Sequence, residues 1–259
     1  MALDQPPDGS AVTARLTVVT GAASGMGRSI AAHFLDAGER VVGLDIRPLP
    51  PFDTDRWTSL VCDVSDEQAW AESMSQIVSD LGAPDALVNV AGISARSQKE
   101  PASPKAWMEI LHVDLLSCWL GMRAVIPHMT ARPSGRIVNI GALAAHQPFA
   151  VPDLAGYAAA KAGVEAITRA TALEVAGAGI AVNCVAPGPI ETPMAETLTD
   201  AARAQILAPV PMQRMGKPEE VAELVGFLAS ERCGFLTGQV ILIDGGINVG
   251  AHHKVRFAE

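Results

Sequence analysis

"RLTVVTGAASGMG" (15–27) is the stretch that decides the fold. A run rich in β-branched residues ends in a glycine-rich turn, "TGAASGMG" (20–27), and a helical pattern starts inside that turn. A strand that passes through glycines straight into a helix is the opening of a βαβ unit. Gly21 suits the tight exit from the strand, Gly25 lets backbone amides approach a diphosphate, and Gly27 lets the helix lie close on the sheet. Amides at the helix N-terminus and the macrodipole favour an anion there. Gly21, Ser24, Gly25, Met26 and Gly27 are therefore the expected cofactor contacts of this turn. In a chain with 23 glycines the pattern alone is weak, and its place after the first strand gives it weight.

The pattern repeats outward from there. Candidate strands are 15–20, 40–45, 58–63, 85–92, 135–141, 180–188 and 239–246, nearly all continuously apolar, as expected for strands covered on both faces. Helical stretches such as 25–38 and 67–81 lie between them, each closing near a glycine. Strict alternation predicts one doubly wound α/β domain of Rossmann type. Its sheet has seven mostly parallel strands, with helices on both faces. The domain spans 14–259 behind a frayed tail at 1–13. The one long irregular region, 186–217, is expected to be functional, with a substrate lid at about 189–215.

Composition narrows the function classes. Of 259 residues, 49% are hydrophobic and 18% charged, which suggests that part of the surface is covered by further copies of the chain. The net charge of -9, with no basic run, argues against nucleic acid and anionic membranes as partners. Cys62, Cys118, Cys184 and Cys233 are scattered without metal-ligand spacing and read as buried reduced thiols. No uninterrupted apolar run reaches the roughly 20 residues that span a bilayer. The first dozen residues lack the regions of a signal peptide, so a cytoplasmic protein is expected. His252 and His253 read as exposed tail residues, and no metal is expected.

Asp45 ends the second strand, about twenty residues beyond the glycine turn. A carboxylate there accepts hydrogen bonds from both hydroxyls of an adenosine ribose and repels a 2′-phosphate, so NAD is favoured over NADP. Arg47 complicates this, because a base so close could receive that phosphate. A second signal is "YAAAK" (157–161), which holds the only tyrosine of the chain with a lysine one helical turn later.

Taken together, "TGAASGMG", "CDV" (62–64), "NVAG" (89–92), "RIVNI" (136–140), "YAAAK", "VNCVAPGPIETPM" (182–194) and "GQVILIDGG" (238–246) resemble the classical short-chain dehydrogenases/reductases over roughly 14–247. The resemblance implies that Asp63 and Val64 lie by the adenine. It also implies that Asn89, Ala91 and Gly92 border the adenosine ribose, and that Val113 packs behind the cofactor. Pro187, Gly188, Ile190 and Thr192 would hold the nicotinamide carboxamide. Val90 stands where the family commonly has a second asparagine. Tyr157 would be the acid/base, and Lys161 would bind the nicotinamide ribose. A phenol with a pKa near 10 is a poor base at neutral pH, and an ammonium on the same helical face favours its phenolate.

Two further positions depart from the family pattern, and both fall on the chemistry. The serine expected after the fifth strand is Ala142, and no Ser or Thr occurs from 135 to 156. The asparagine that usually holds a water in the proton relay is Asp114, which accepts but cannot donate unless protonated. Three readings follow: another donor, with His146 or Gln147 as candidates, meets the substrate oxygen; the chain binds NAD with little turnover, as a sensor or assembly subunit; or the alanine was introduced deliberately. The first is favoured, because a protein released from catalysis has little reason to keep its only tyrosine beside that lysine.

Ala142, His146 and Met194 are the candidate substrate contacts. The apolar lid residues Leu198, Ile206, Leu207, Met212 and Met215 point to a neutral, hydrophobic alcohol or ketone such as an alicyclic or steroid-like ring, with the alternative open for each one singly that it simply packs on the domain. Eight alanines between 157 and 176 leave a smooth helix surface. By the resemblance such helices pair across a two-fold axis and the last strand packs on its copy, giving a homotetramer.

Overall fold

A computed structural model describes residues 14–93, 103–146, 154–196 and 198–249. The expected tail at 1–13, Gln147, and the histidines at 252 and 253 lie outside the described residues.

The chain runs β1 (Leu16–Thr20), α1 (Gly25–Asp36), β2 (Arg40–Asp45), β3 (Trp57–Val61), α2 (Glu67–Leu81), β4 (Ala86–Asn89), α3 (Pro104–Ile110), α4 (Ser117–Thr130), β5 (Gly135–Ile140), α5 (Ala155–Val175), β6 (Ile180–Pro187), α6 (Pro193–Glu196), α7 (Asp200–Leu207), α8 (Pro218–Ala229) and β7 (Val240–Ile243). The seven strands form one sheet in the order β3-β2-β1-β4-β5-β6-β7, every pair parallel. The order reverses between β1 and β4, and a crevice opens there beyond the carboxyl ends of the strands. The inner strands β1, β4 and β6 are buried at every residue, whereas the edge strand β3 shows an exposed Val61.

The sheet separates two apolar layers. On one face α1 and α8 pack together and bury Ile30, Phe34, Leu35, Val221, Val225 and Leu228. On the other, α2, α4 and α5 bury Trp70, Met74, Ile77, Leu120, Val125, Met129 and Val175. The continuous helical segment Pro104–Thr130 has the length and mean hydropathy, 1.3, of a membrane span. Its apolarity has a local reason: α4 packs against α2, α5 and the central strands. A single turn of π-helix, Leu111–Leu116, interrupts this segment, and such turns recur at functional sites.

Several boundaries differ from the sequence expectation. The fourth strand stops at Asn89, because the amides of Val90 and Ala91 turn to the Thr20 hydroxyl, at 2.9 and 3.1 Å. The region 186–217 is not wholly irregular. It contains α6 and α7, the latter capped by the Thr199 hydroxyl, which accepts from the Ala202 amide at 3.2 Å. All four cysteines are buried and unpaired.

Candidate active site

The glycine turn folds as its residues demand. Gly21 and Gly25 hold φ of 66° and 55°, the left-handed region that disfavours a side chain. A Cβ on Gly27 would collide with the Gly21 carbonyl oxygen, so only glycine lets α1 start this close to β1. Ser24 caps α1 in an extended conformation without a side-chain bond to the helix, leaving first-turn amides directed at the crevice. A cleft of about 1150 Å³ runs from this turn across the carboxyl ends of β1, β4 and β5.

Asp45, Asp63, Val64, Ala91, Gly92 and Val113 all line this cleft. Asp45 is buried, and one of its carboxylate oxygens accepts from the Ala23 amide at 3.1 Å. The other accepts from the Arg47 amide at 3.0 Å and from Arg47 Nε at 3.2 Å. The Arg47 guanidinium also donates to Ser24 Oγ at 3.1 Å, so the base is tied across the mouth of the turn. Asp63 accepts from the Ser65 amide and hydroxyl, at 2.9 and 2.7 Å. Pro187, Gly188, Ile190 and Thr192 line the far end.

Tyr157, Lys161, Asp114 and Ala142 meet at the inner wall of the same cleft. Lys161 Nζ donates to the Ile140 carbonyl at 3.0 Å and stands 5.7 Å from the centre of the Tyr157 ring. Asp114, on the π-turn, accepts from the Ile93 amide at 2.7 Å, and its second oxygen faces Lys161 Nζ at 3.4 Å. Burial pushes the Tyr157 phenol up, and Lys161 pulls it back only in part. Burial would lower Lys161, but the negative potential of Asp114, with Tyr157 and Cys118 when ionised, outweighs it and holds the ammonium. Burial also raises the Asp114 carboxyl against the opposing pull of Lys161 and Ile93. The thiols of Cys118 and Cys184 are pushed up to about 12 and stay neutral.

Two expected site residues, Asn89 and His146, are not among those that line the cleft. Asn89 is buried in the sheet, where its amide donates to Asn139 Oδ1 at 2.8 Å and braces the strand end. His146 stands 2.6 Å from the buried Glu165 and is not among the residues that line the cleft. Met194 lies on α6, and its side chain is outside the described residues. Of the apolar residues at 189–215, Met215 is buried and Leu207 packs with Val210, Leu143 and Ile247, in line with the packing alternative, while Met212 is exposed. None of these lines the cleft.

Other residues were missed from sequence. Thr20 ties the ends of β1 and β4 through one hydroxyl, a long-range contact without a local signal. Lys105, Met108, Glu109 and His112 line the cleft from α3 and the π-turn. Their spacing of i, i+3, i+4 and i+7, just before Asp114, was a readable helical stripe.

Comparison with known proteins bears on the family and the fold. Residues 21–248 match a family model described as enoyl-(acyl carrier protein) reductase. The chain is 36% identical over 244 residues to a 3-oxoacyl-(acyl-carrier-protein) reductase of Thermotoga maritima, covering 90% of this chain and 97% of the relative. It is 37% identical over 251 residues to a cis-4-hydroxycyclohexanecarboxylate dehydrogenase of Sinomonas cyclohexanicum, covering 92% and 98%. Among solved structures, aldohexose dehydrogenase of Thermoplasma acidophilum superposes with a TM-score of 0.83 at 31% identity, covering 95% of this chain and 98% of that one.

Proposed function

The chain belongs to the classical short-chain dehydrogenase/reductase family and is an oxidoreductase acting on alcohol or carbonyl groups. On that premise we propose that it works with NAD on a neutral secondary alcohol or the matching ketone, using Tyr157 as acid/base and Lys161 as its activator. The observation that carries this reading is the Lys161 ammonium, buried beside the Tyr157 ring at the inner wall of a cleft of dinucleotide size. When bound, the nicotinamide ring accepts or supplies the hydride. The residues suited to hold the dinucleotide are the glycine turn at its diphosphate, Asp45 at the adenosine ribose, Lys161 at the nicotinamide ribose, and Pro187, Gly188, Ile190 and Thr192 at the carboxamide.

The chain's own part is a proton transfer. In oxidation Tyr157 takes the hydroxyl proton of the alcohol, and in reduction its phenol returns one to the forming alkoxide. Lys161 favours the phenolate by its charge, and the Ile140 carbonyl fixes where that charge sits. NAD is favoured because the buried Asp45 carboxylate holds the strand end and already engages Arg47, a base close enough to receive a 2′-phosphate there. A cyclic alcohol fits the mostly apolar wall, and the relative from Sinomonas cyclohexanicum is named for one.

Ala142 lines the cleft without a hydroxyl, and His146 is turned to Glu165, which favours slow turnover as a second reading. Loss of one hydrogen bond to a developing oxyanion costs ~10²- to 10³-fold in rate and leaves the reaction class intact. A panel of neutral secondary alcohols assayed at the NADH band decides between the two. NADH formation with at least one cyclic alcohol is expected, and NADH binding with no turnover on any substrate would overturn the catalytic reading in favour of a sensor.

The reading extends to a cytoplasmic homotetramer built on α4 and α5 and on the free edge of β7. Supporting it, Trp119 on α4 and Leu173 on α5 are exposed, as is Phe235 just before β7. A solution mass equal to one 27.0 kDa chain would refute it.

A further inference from the structure

We infer that Asp114 is a positioning residue whose carboxylate, buried against the Lys161 ammonium, keeps Tyr157 protonated to higher pH than Lys161 alone would, and so sets the pH dependence of proton exchange. The inference rests on the reading of Tyr157 as the acid/base.

The geometry carries the argument. Asp114 is fully buried on the π-turn, with one oxygen fixed by the Ile93 amide at 2.7 Å. The other oxygen has no hydrogen-bond partner and stands 3.4 Å from Lys161 Nζ. An acceptor left unpaired at such depth is costly unless a charge faces it. Here that charge is the ammonium that activates Tyr157. A cation favours a neighbouring phenolate, but a cation neutralised by its own buried carboxylate favours it far less. The helix brings Tyr157 and Lys161 together, and the π-turn of a different segment adds the opposing charge.

Other titratable groups around the trio do not take over this role. Cys118 of α4 and Cys184 of β6 are neutral thiols, pushed up to about 12. Glu165, one turn beyond Lys161 on α5, pairs with His146 and lies near Arg169. Lys105, Glu109 and His112 line the outer cleft and are solvent-exposed. Among the described residues, Asp114 is the one carboxylate within ion-pair distance of Lys161.

The sign follows. Alcohol oxidation needs the phenolate, so its rate rises with pH, and Asp114 moves that rise to higher pH. Ketone reduction needs the phenol, and Asp114 extends it into the alkaline range. Removing the carboxylate charge shifts both limbs to lower pH.

Because the chain has a single tyrosine, its ionisation can be read without substrate from the ultraviolet tyrosinate band. Wild type and Asp114→Asn are titrated as folded proteins, with Tyr157→Phe as the blank and circular dichroism as the check on folding. The tyrosinate midpoint of Asp114→Asn is expected at least about one pH unit below wild type. Asp114→Ser, which keeps an acceptor for the Ile93 amide, serves the same comparison should Asn fail to fold. An unmoved or raised midpoint overturns the inference, as does failure of both variants to fold, which would make Asp114 purely structural. The pH profile of alcohol oxidation should move in the same direction. A shifted midpoint in a protein with no turnover would sink the redox reading and leave this charge assignment standing. An unmoved midpoint in an active enzyme would sink this assignment alone.

Discussion

The two ends of the cleft are built differently. At the glycine turn the expected ligand contacts are mostly backbone: amides of the first turn of α1, with Gly21, Gly25 and Gly27 shaping their path. At the inner wall they are side chains, and Tyr157, Lys161, Asp114 and Ala142 come from three separate elements. Backbone-built recognition depends on a few steric requirements, so a sequence either meets them or does not. A side-chain site can change one member and keep its shape, and the two departures that fall on the chemistry, Ala142 and Asp114, lie there, whereas Val90, the departure nearer the turn, still gives its backbone amide to Thr20. The binding end therefore holds the family's constraint, and the chemical end holds what is particular to this chain.

Substitutions at each end sharpen this contrast. The largest effect is expected from Lys161→Ala, which removes both the charge beside Tyr157 and the proposed ribose contact. Turnover falls by ~10³-fold or more, and NADH affinity drops as a ribose contact is lost. The buried Asp114 is also left without its counter-charge, which costs about 3–5 kcal/mol, so a clear fall in melting temperature accompanies the loss. Gly27→Ala acts on the binding end alone. The new methyl meets the Gly21 carbonyl, costing about 1–3 kcal/mol in overpacking and at least about tenfold in NADH affinity by calorimetry. Ala142→Ser acts on the chemical end alone, raising turnover by about tenfold or more at unchanged NADH affinity. An unchanged rate would mean that the donor to the substrate oxygen lies elsewhere. The smallest effect is expected from Asp45→Ser, which frees Arg47 and narrows the preference for NADH over NADPH by about tenfold in a binding titration. If NADPH already binds wild type as well as NADH, the assignment of Asp45 fails.

The same contrast explains what could be read from the sequence. The seven strands and the glycine turn were legible because local periodicity and steric demand encode them. Tyr157 and Lys161 were legible because a helix brings positions four apart together. The contact of Lys161 with Asp114 was not, since 47 positions separate them and a π-turn, unmarked in composition, aims the carboxylate. The pairing of His146 with Glu165 was hidden for a similar reason. α7 was readable: Thr199 before a short amphipathic run is a cap signal, masked by the prolines and methionines around it. The apolar residues at 189–215 left two readings open, because composition does not separate side chains that pack inward, as Leu207 does, from those that would meet a ligand.

The account stands most directly on Tyr157→Phe, measured twice on the same preparation: NADH affinity by fluorescence titration, and alcohol turnover at the NADH band. NADH affinity within about threefold of wild type, with turnover reduced by ~10³-fold, is the expected result. Turnover that survives the loss of the phenol, or a loss of NADH binding that accounts for the whole effect, would contradict it.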